Sequence, residues 1–228
     1  LALLALGLLL AWTRESEARF ALASSRNFYG TLRIEETGEA GDPDERRRLV
    51  HGRIMHGEQL LAPGRAMVPT SYYGADSGVG VAIAATRREG VAQRVGVIGL
   101  GAGVMAAHGR AGDIYRFYEI DPQVERMARA HFTFLSASRA ATEVALGDAR
   151  LVLEREAPRG FDVLAVDAFT GDAIPVHLLT GEAFATWLRH LREGGLLAVH
   201  VSNKYLDLAP VVRLAAEQAG WRARLVED

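Results

Sequence analysis

The sequence predicts an α/β fold, a parallel sheet with helices on both faces, preceded by a small antiparallel β unit. Three observations carry this reading. From Arg94 onward, short apolar runs alternate with helical stretches, the pattern of a parallel sheet covered on both sides. The first run, Val95 to Ile98, leads into three alternate glycines, Gly99, Gly101 and Gly103, as where a strand turns tightly into a helix. Before that point, residues 26–61 alternate apolar and polar side chains as half-buried strands do.

Taken in order, residues 26–34 read as one strand. Residues 35–48 are polar, with Gly38, Gly41 and Pro43, and read as a loop. Residues 49–57 read as a second strand and turn. Residues 63–80, rich in Gly, Pro, Ser and Tyr, read as a long ordered loop, and 78–88 as a helix. Strands are expected at 94–98, 114–119, 142–146, 161–166, 196–201 and 221–226. Helices are expected at 103–111, 122–132, 148–156, 180–192 and 208–219. Pro122 suits the first helical turn, and Gly194-Gly195 is expected to stop the fourth helix. The chain thus divides into an apolar segment (1–20), a β unit with its loop (21–75) and the α/β part (76–228).

A hydrophobic content of 49% in 228 residues supports a packed core. A net charge of −2 offers no long-range attraction to nucleic acid. The absence of cysteine excludes disulfides, thiolate metal sites and thiol nucleophiles. Residues 1–12 are almost all apolar and are followed by Arg14 and Arg19. Twelve residues are short of the roughly 20 that span a bilayer. They read as the end of a transmembrane helix, as a signal core without its basic start, or as a buried helix. On the first reading the arginines favour a cytoplasmic exit and a cytoplasmic catalytic domain attached to a membrane.

Ligands of open parallel sheets lie at the carboxyl ends of the strands. The glycine turn alone is shared by nicotinamide, flavin and S-adenosylmethionine binders. Glu119, ending the second strand, can accept hydrogen bonds from two ribose hydroxyls. Asp148, after the third, can accept from an adenine amino group or cap a helix. Asp167, after the fourth, and Asp172 in the following loop can bind and deprotonate a cationic amine, or simply shape a turn. A free alkylammonium has a pKa near 10 and cannot attack until it loses a proton. His51, His56 and His177 have no zinc-type spacing and read as hydrogen-bonding residues. His108, His131, His190 and His200 read as ordinary helix or strand residues, and Trp187 as core.

Asn27-Phe-Tyr-Gly30, His51-Gly52, His56-Gly57-Glu-Gln59, Pro69-Thr-Ser-Tyr-Tyr73, the Gly99–Gly103 turn, Glu119-Ile-Asp121, Gly147-Asp148-Ala149, Asp167-Ala-Phe169 and Pro175-Val-His-Leu178 together resemble the spermidine synthase (polyamine aminopropyltransferase) family. The membrane-fused bacterial members are the most similar, and the resemblance covers about nine-tenths of the chain. It implies an S-adenosylmethionine-type Rossmann-like domain that moves an aminopropyl group from decarboxylated S-adenosylmethionine to an acceptor such as putrescine, releasing 5′-methylthioadenosine. It implies that Glu119 holds the ribose, Asp148 the adenine, and Gln59 a further part of the donor. Gly99, Gly101 and Gly103 then form the donor loop, Asp167 orients and deprotonates the amine, and Tyr72, Tyr73 and Asp172 line the acceptor channel. No metal is needed, because the sulfonium is already an activated leaving group. A homodimer through the N-terminal unit is a further implication.

Two departures stand out. Soluble members carry Asp where this chain has Ala102, and the usual Tyr-His-Glu or Tyr-Gln-Glu triplet is replaced by Tyr72-Tyr73-Gly74. The first removes a contact to the donor's amine, and both weaken recognition of a cation. They leave open methyl transfer from intact S-adenosylmethionine and a non-catalytic nucleoside- or polyamine-sensing role.

Overall fold

The computed structural model describes residues 21–169, 174–203 and 206–227. The described residues form two sheets. The first is antiparallel in the order β1-β2-β3-β4, built from Ala21–Asn27, Gly30–Thr37, Arg46–His51 and Ile54–Leu60. The second is parallel in the order β7-β6-β5-β8-β9, from Arg94–Ile98 (β5), Ile114–Glu119 (β6), Ala141–Leu146 (β7), Phe161–Val166 (β8) and Leu191–Val199 (β9). The α/β reading with a preceding antiparallel unit therefore holds.

The helices are α1 (Gly78–Thr86), α2 (Pro122–His131), α3 (Phe134–Ala137), α4 (Ala149–Arg155), α5 (Gly181–His190) and α6 (Ala209–Gln218). Four start on side-chain caps. Ser77, Asp121, Asp148 and Thr180 each accept a hydrogen bond from a backbone N–H of the first turn, satisfying a donor the helix itself cannot.

Alternation along the parallel strands sends side chains into two cores. Val95, Val97, Tyr115, Phe117, Val163 and Ala165 pack with the antiparallel sheet (Leu32, Ile34, Leu49), α1 and α2. Ile98, Tyr118, Leu164 and Val166 pack on the opposite face with α4 and α5 through Leu153, Phe184 and Trp187. Several hydrogen bonds fasten the antiparallel sheet to the α/β part. Asn27 Nδ2 donates to Asp121 Oδ1 (2.7 Å), Arg47 Nη1 to the His131 carbonyl (2.6 Å), and Gln59 Nε2 to Thr133 Oγ1 (2.7 Å).

Several element bounds differ from expectation. The run 26–34 is a hairpin rather than one strand. Asn27 pairs with Gly30, Asn27 Oδ1 accepts from Tyr29 N at 2.9 Å, and Gly30 takes a φ of +136°. The side-chain period survives the turn, so the reversal is invisible to an alternation count. Residues 49–57 likewise split at Gly52, where φ is +61°, and the expected loop 35–48 shrinks as β2 and β3 reach into it. The stretch after Gly103 is one 3-10 segment, Val104–His108, rather than a helix to 111. The helix that those glycines are expected to stop, α5, ends at His190, and Gly194-Gly195 lie inside β9. The expected strand 221–226 is irregular chain after α6. Residues 1–20, the expected membrane segment, lie outside the described residues. Among the described residues no helix is long and apolar enough to cross a membrane.

Trp187 is fully buried and its indole N–H donates to the Leu178 carbonyl at 3.2 Å. Trp187→Ala is expected to destabilise the protein by about 3–5 kcal/mol, read as a lower urea midpoint at unchanged m-value.

Candidate active site

The parallel ladder continues one bond past the strand ends. Gly99 N donates to the Tyr118 carbonyl (2.8 Å), Gly147 N to the Glu119 carbonyl (2.8 Å), Asp167 N to the Ile98 carbonyl (2.9 Å) and His200 N to the Val166 carbonyl (3.0 Å). Asp148, Glu119, the glycine turn, Asp167 and His200 therefore stand in a row across five neighbouring strands. Four steps of about 4.8 Å make this row about 19 Å long, enough for a nucleoside and a second small molecule side by side.

At Gly99, Gly101 and Gly103 φ is +100°, +53° and +86°, conformations that other residues adopt at a penalty. The turn is held from the antiparallel sheet, since Ala102 N donates to the His56 carbonyl at 3.0 Å. A Cβ on Gly101 would lie 2.3 Å from that carbonyl oxygen, and one on Gly99 2.5 Å from the Asp167 carbonyl oxygen. Two of the three glycines thus serve close approach of protein backbone. Ala102 is 1% exposed. A Cβ on Gly57 would come within 2.8 Å of its methyl group, so β4 fills the space that a longer side chain at 102 needs.

Glu119 is 8% exposed. Its Oε2 accepts from Leu100 N (3.0 Å) and its Oε1 from Asp121 N (2.9 Å). Burial pushes its carboxyl up to about 7, against the downward pull of these backbone donors. Each oxygen keeps a lone pair for a further donor. Asp148 Oδ1 caps α4 through Leu151 N (3.0 Å), and its Oδ2 lies 3.0 Å from His177 Nε2. The capping alternative for Asp148 is therefore real, with His177 as an additional partner.

Gln59, 1% exposed, donates to the Ala66 carbonyl (2.9 Å) and Thr133 Oγ1, and accepts from Thr133 N (3.2 Å). It works as a strut between β4 and the α2–α3 junction. The expected contact with a donor would need those bonds to give way.

Asp167 gathers the other end of the row. Its Oδ2 accepts the Tyr73 hydroxyl, and its Oδ1 lies 2.6 Å from His200 Nδ1. The Tyr73 hydroxyl also lies 3.3 Å from that of Tyr72. Burial, with the Asp167 charge as the second cause, raises both tyrosines above their ordinary value, so both stay protonated donors. His56 is pushed down to about 4 by burial and by His51, with Asp167 pulling the other way, which leaves a neutral imidazole there. Asp172 lies outside the described residues.

Tyr72, Tyr73, Asp167 and His200 line a cavity of about 840 Å³ between α1, β9, α6 and residues 221–226. Its wall is largely apolar, with Asp207, Arg213, Arg222 and Arg224 as further charged members. Glu119 and Asp148 are not among its lining residues; they sit farther along the row. Sequence reading missed His200. Its signal was position, the first residue past the fifth parallel strand, the same place that marks Asp167.

No protein-family profile matches the chain. It is 32% identical over 115 residues to the polyamine aminopropyltransferase of Vibrio vulnificus, covering 47% of this chain and 37% of that protein. It is 25% identical over 172 residues to a Mycolicibacterium vanbaalenii protein named "Putative O-methyltransferase", covering 71% of this chain and 73% of that one. The chain thus spans little more than a third of the aminopropyltransferase it matches. Among solved structures, a probable spermidine synthase from Corynebacterium glutamicum superposes with a TM-score of 0.58 at 22% identity, covering 78% of this chain and 62% of that one. The spermidine synthase of Thermotoga maritima gives 0.58 at 16%, covering 88% and 63%. Human methyltransferase-like protein 13 in complex with SAH gives 0.51 at 19%, covering 60% and 69%. The fold is one shared by spermidine synthases and methyltransferases.

Gly101→Ala is expected to lower stability by more than about 2 kcal/mol, because it adds left-handed backbone strain to a clash with β4. Urea unfolding checks it.

Proposed function

We propose that this chain is a transferase acting on an adenosyl sulfonium, and that its reaction is aminopropyl transfer from decarboxylated S-adenosylmethionine to an amine such as putrescine. The observation that carries the proposal is the row at the strand ends, where a buried carboxylate beside the glycine turn is followed, two strands on, by a carboxylate opening onto an apolar cavity. Glu119 accepts the ribose hydroxyls with the lone pairs left by Leu100 N and Asp121 N. Asp148 serves the adenine from the outer edge. Asp167 draws the acceptor's cationic end beside Tyr72 and Tyr73. The acceptor nitrogen then attacks the methylene next to sulfur. The C–S bond breaks with its electron pair going to sulfur, and 5′-methylthioadenosine, a longer polyamine and one proton result. Both charges are brought to fixed negative groups, so alignment and preorganised charge supply the acceleration. The similarity to the Vibrio vulnificus aminopropyltransferase supports this choice.

A second reading, methyl transfer from intact S-adenosylmethionine, is favoured by the packing at Ala102. The turn has no carboxylate there to repel the donor's own, and the three arginines on the cavity wall suit an acceptor that is not a dication. Mass spectrometry of products formed from each donor with a panel of di- and triamines separates the two. A mass gain of an aminopropyl group supports the first reading, and a methyl gain replaces it with the second.

Two outcomes follow from the assigned roles. Only the ionised Glu119 accepts from both hydroxyls. Its carboxyl titrates near 7, so the ionised fraction rises from about one tenth at pH 6 to about nine tenths at pH 8. Calorimetric affinity for 5′-methylthioadenosine is expected to rise about tenfold over that range. In Glu119→Ala the affinity is expected to be flat with pH and weaker by about 1.5–3 kcal/mol per lost bond. For folding the sign is opposite. A carboxyl raised by burial stabilises the fold below about 4.5, and that contribution is lost as pH rises through about 7. Asp167→Asn is expected to lower kcat at least about 100-fold with nearly unchanged 5′-methylthioadenosine affinity. A large loss of affinity instead would move Asp167 to the donor side.

A further inference from the structure

We propose that the proton released by the acceptor goes to Nε2 of His200, and that Asp167 acts by holding the other side of that ring. Four observations carry this. His200 Nδ1 lies 2.6 Å from Asp167 Oδ1. An ionised carboxylate can only accept, so Nδ1 must carry the hydrogen. In the neutral ring the lone pair then sits on Nε2. Nε2 has no hydrogen-bond partner among the described residues, and His200 lines the cavity next to Asp167. The ring is fixed from two directions, with centroids 4.4 Å from Tyr72 and 4.8 Å from Phe169.

Asp167 is already engaged on both oxygens, by Tyr73 and by His200. It is an anchor with a fixed tautomer as its product. The other titratable groups around this pair are Tyr72 and Tyr73, both protonated, the neutral His56, and Asp207, Arg213, Arg222 and Arg224 on the wall of the same cavity. Among the described residues the hydrogen-bond partners of Asp167 are Tyr73 and His200, so an imidazolium at His200 sits directly against its charge.

The step balances. The acceptor ammonium gives one proton to Nε2, making His200 an imidazolium paired with Asp167. The freed nitrogen lone pair forms the new C–N bond as the C–S bond breaks toward sulfur. His200 returns its proton to solvent after product leaves. The inference rests on the transfer reading above for the identity of the acceptor, but the ring's tautomer is independent of it.

His200→Asn is the informative variant, since its amide nitrogen takes the place of Nδ1 and can keep the bond to Asp167 without offering a base. With the full chain, decarboxylated S-adenosylmethionine and putrescine, this variant is expected to lose about 100-fold in kcat. Calorimetric affinity for 5′-methylthioadenosine should stay within twofold. Nitrogen-15 NMR of histidine-labelled protein, with the His200 signals assigned by their absence in the variant, should show Nδ1 protonated and Nε2 bare at pH 8. A hydrogen on Nε2 instead, or a variant keeping kcat within threefold of wild type, overturns the proposal. A wild-type protein with the expected tautomer that forms no aminopropylated product sinks the aminopropyl reading and leaves the assignment of the ring intact.

Discussion

The arrangement depends on a backbone ladder that runs one hydrogen bond beyond the ends of β5, β7, β8 and β9. Because Gly99, Gly147, Asp167 and His200 each donate to the neighbouring strand at the point where their own strand gives way to loop, the first loop residues are held as firmly as strand residues. Loops ordinarily carry function at the expense of order. Here the polar groups sit where the sheet still dictates spacing, so their separations follow from strand geometry rather than from loop conformation.

That placement explains how the electrostatics divide. Toward β6 and β7 the row is carboxylate, with Glu119 buried and backed by two backbone donors. Toward β8 and β9 one carboxylate is held by the Tyr73 hydroxyl and His200 Nδ1, on a cavity wall that also carries Arg213, Arg222 and Arg224. Tyr72, Tyr73 and His56 stand near Asp167 without adding positive charge.

Much of this was legible in the sequence. The strands at 94–98, 114–119 and 161–166 read correctly because their apolar runs are buried on both faces and bounded by glycine or aspartate. Glu119, Asp148 and Asp167 were legible as strand-end acids. The rest was hidden for physical reasons. The turn at Phe28-Tyr29 keeps the strand period, so one strand was read where two pair. Gly194-Gly195 read as a helix stop because glycine marks a break, yet here Gly195 lies within the strand close to the Phe161 carbonyl, where a Cβ would stand 2.8 Å away. Gln59 entered as a donor contact through the family resemblance alone, and nothing in its neighbours announces Thr133, 74 positions away, as its partner in the fold. His200 passed as an ordinary strand residue because a lone histidine after an apolar run carries no local mark. Only the pairing of β8 with β9 brings it to Asp167.

The contact between Gly57 and Ala102 has a consequence for how such a chain can change. The two sheets meet there with no slack, one glycine against one methyl group. Neither half can be exchanged for a homologous module without its counterpart. A bulkier residue at 102 needs an antiparallel sheet displaced outward at 57, and that shift would carry along His56, whose carbonyl holds the glycine turn. The shape of the turn and the seating of the first sheet therefore change only as a pair.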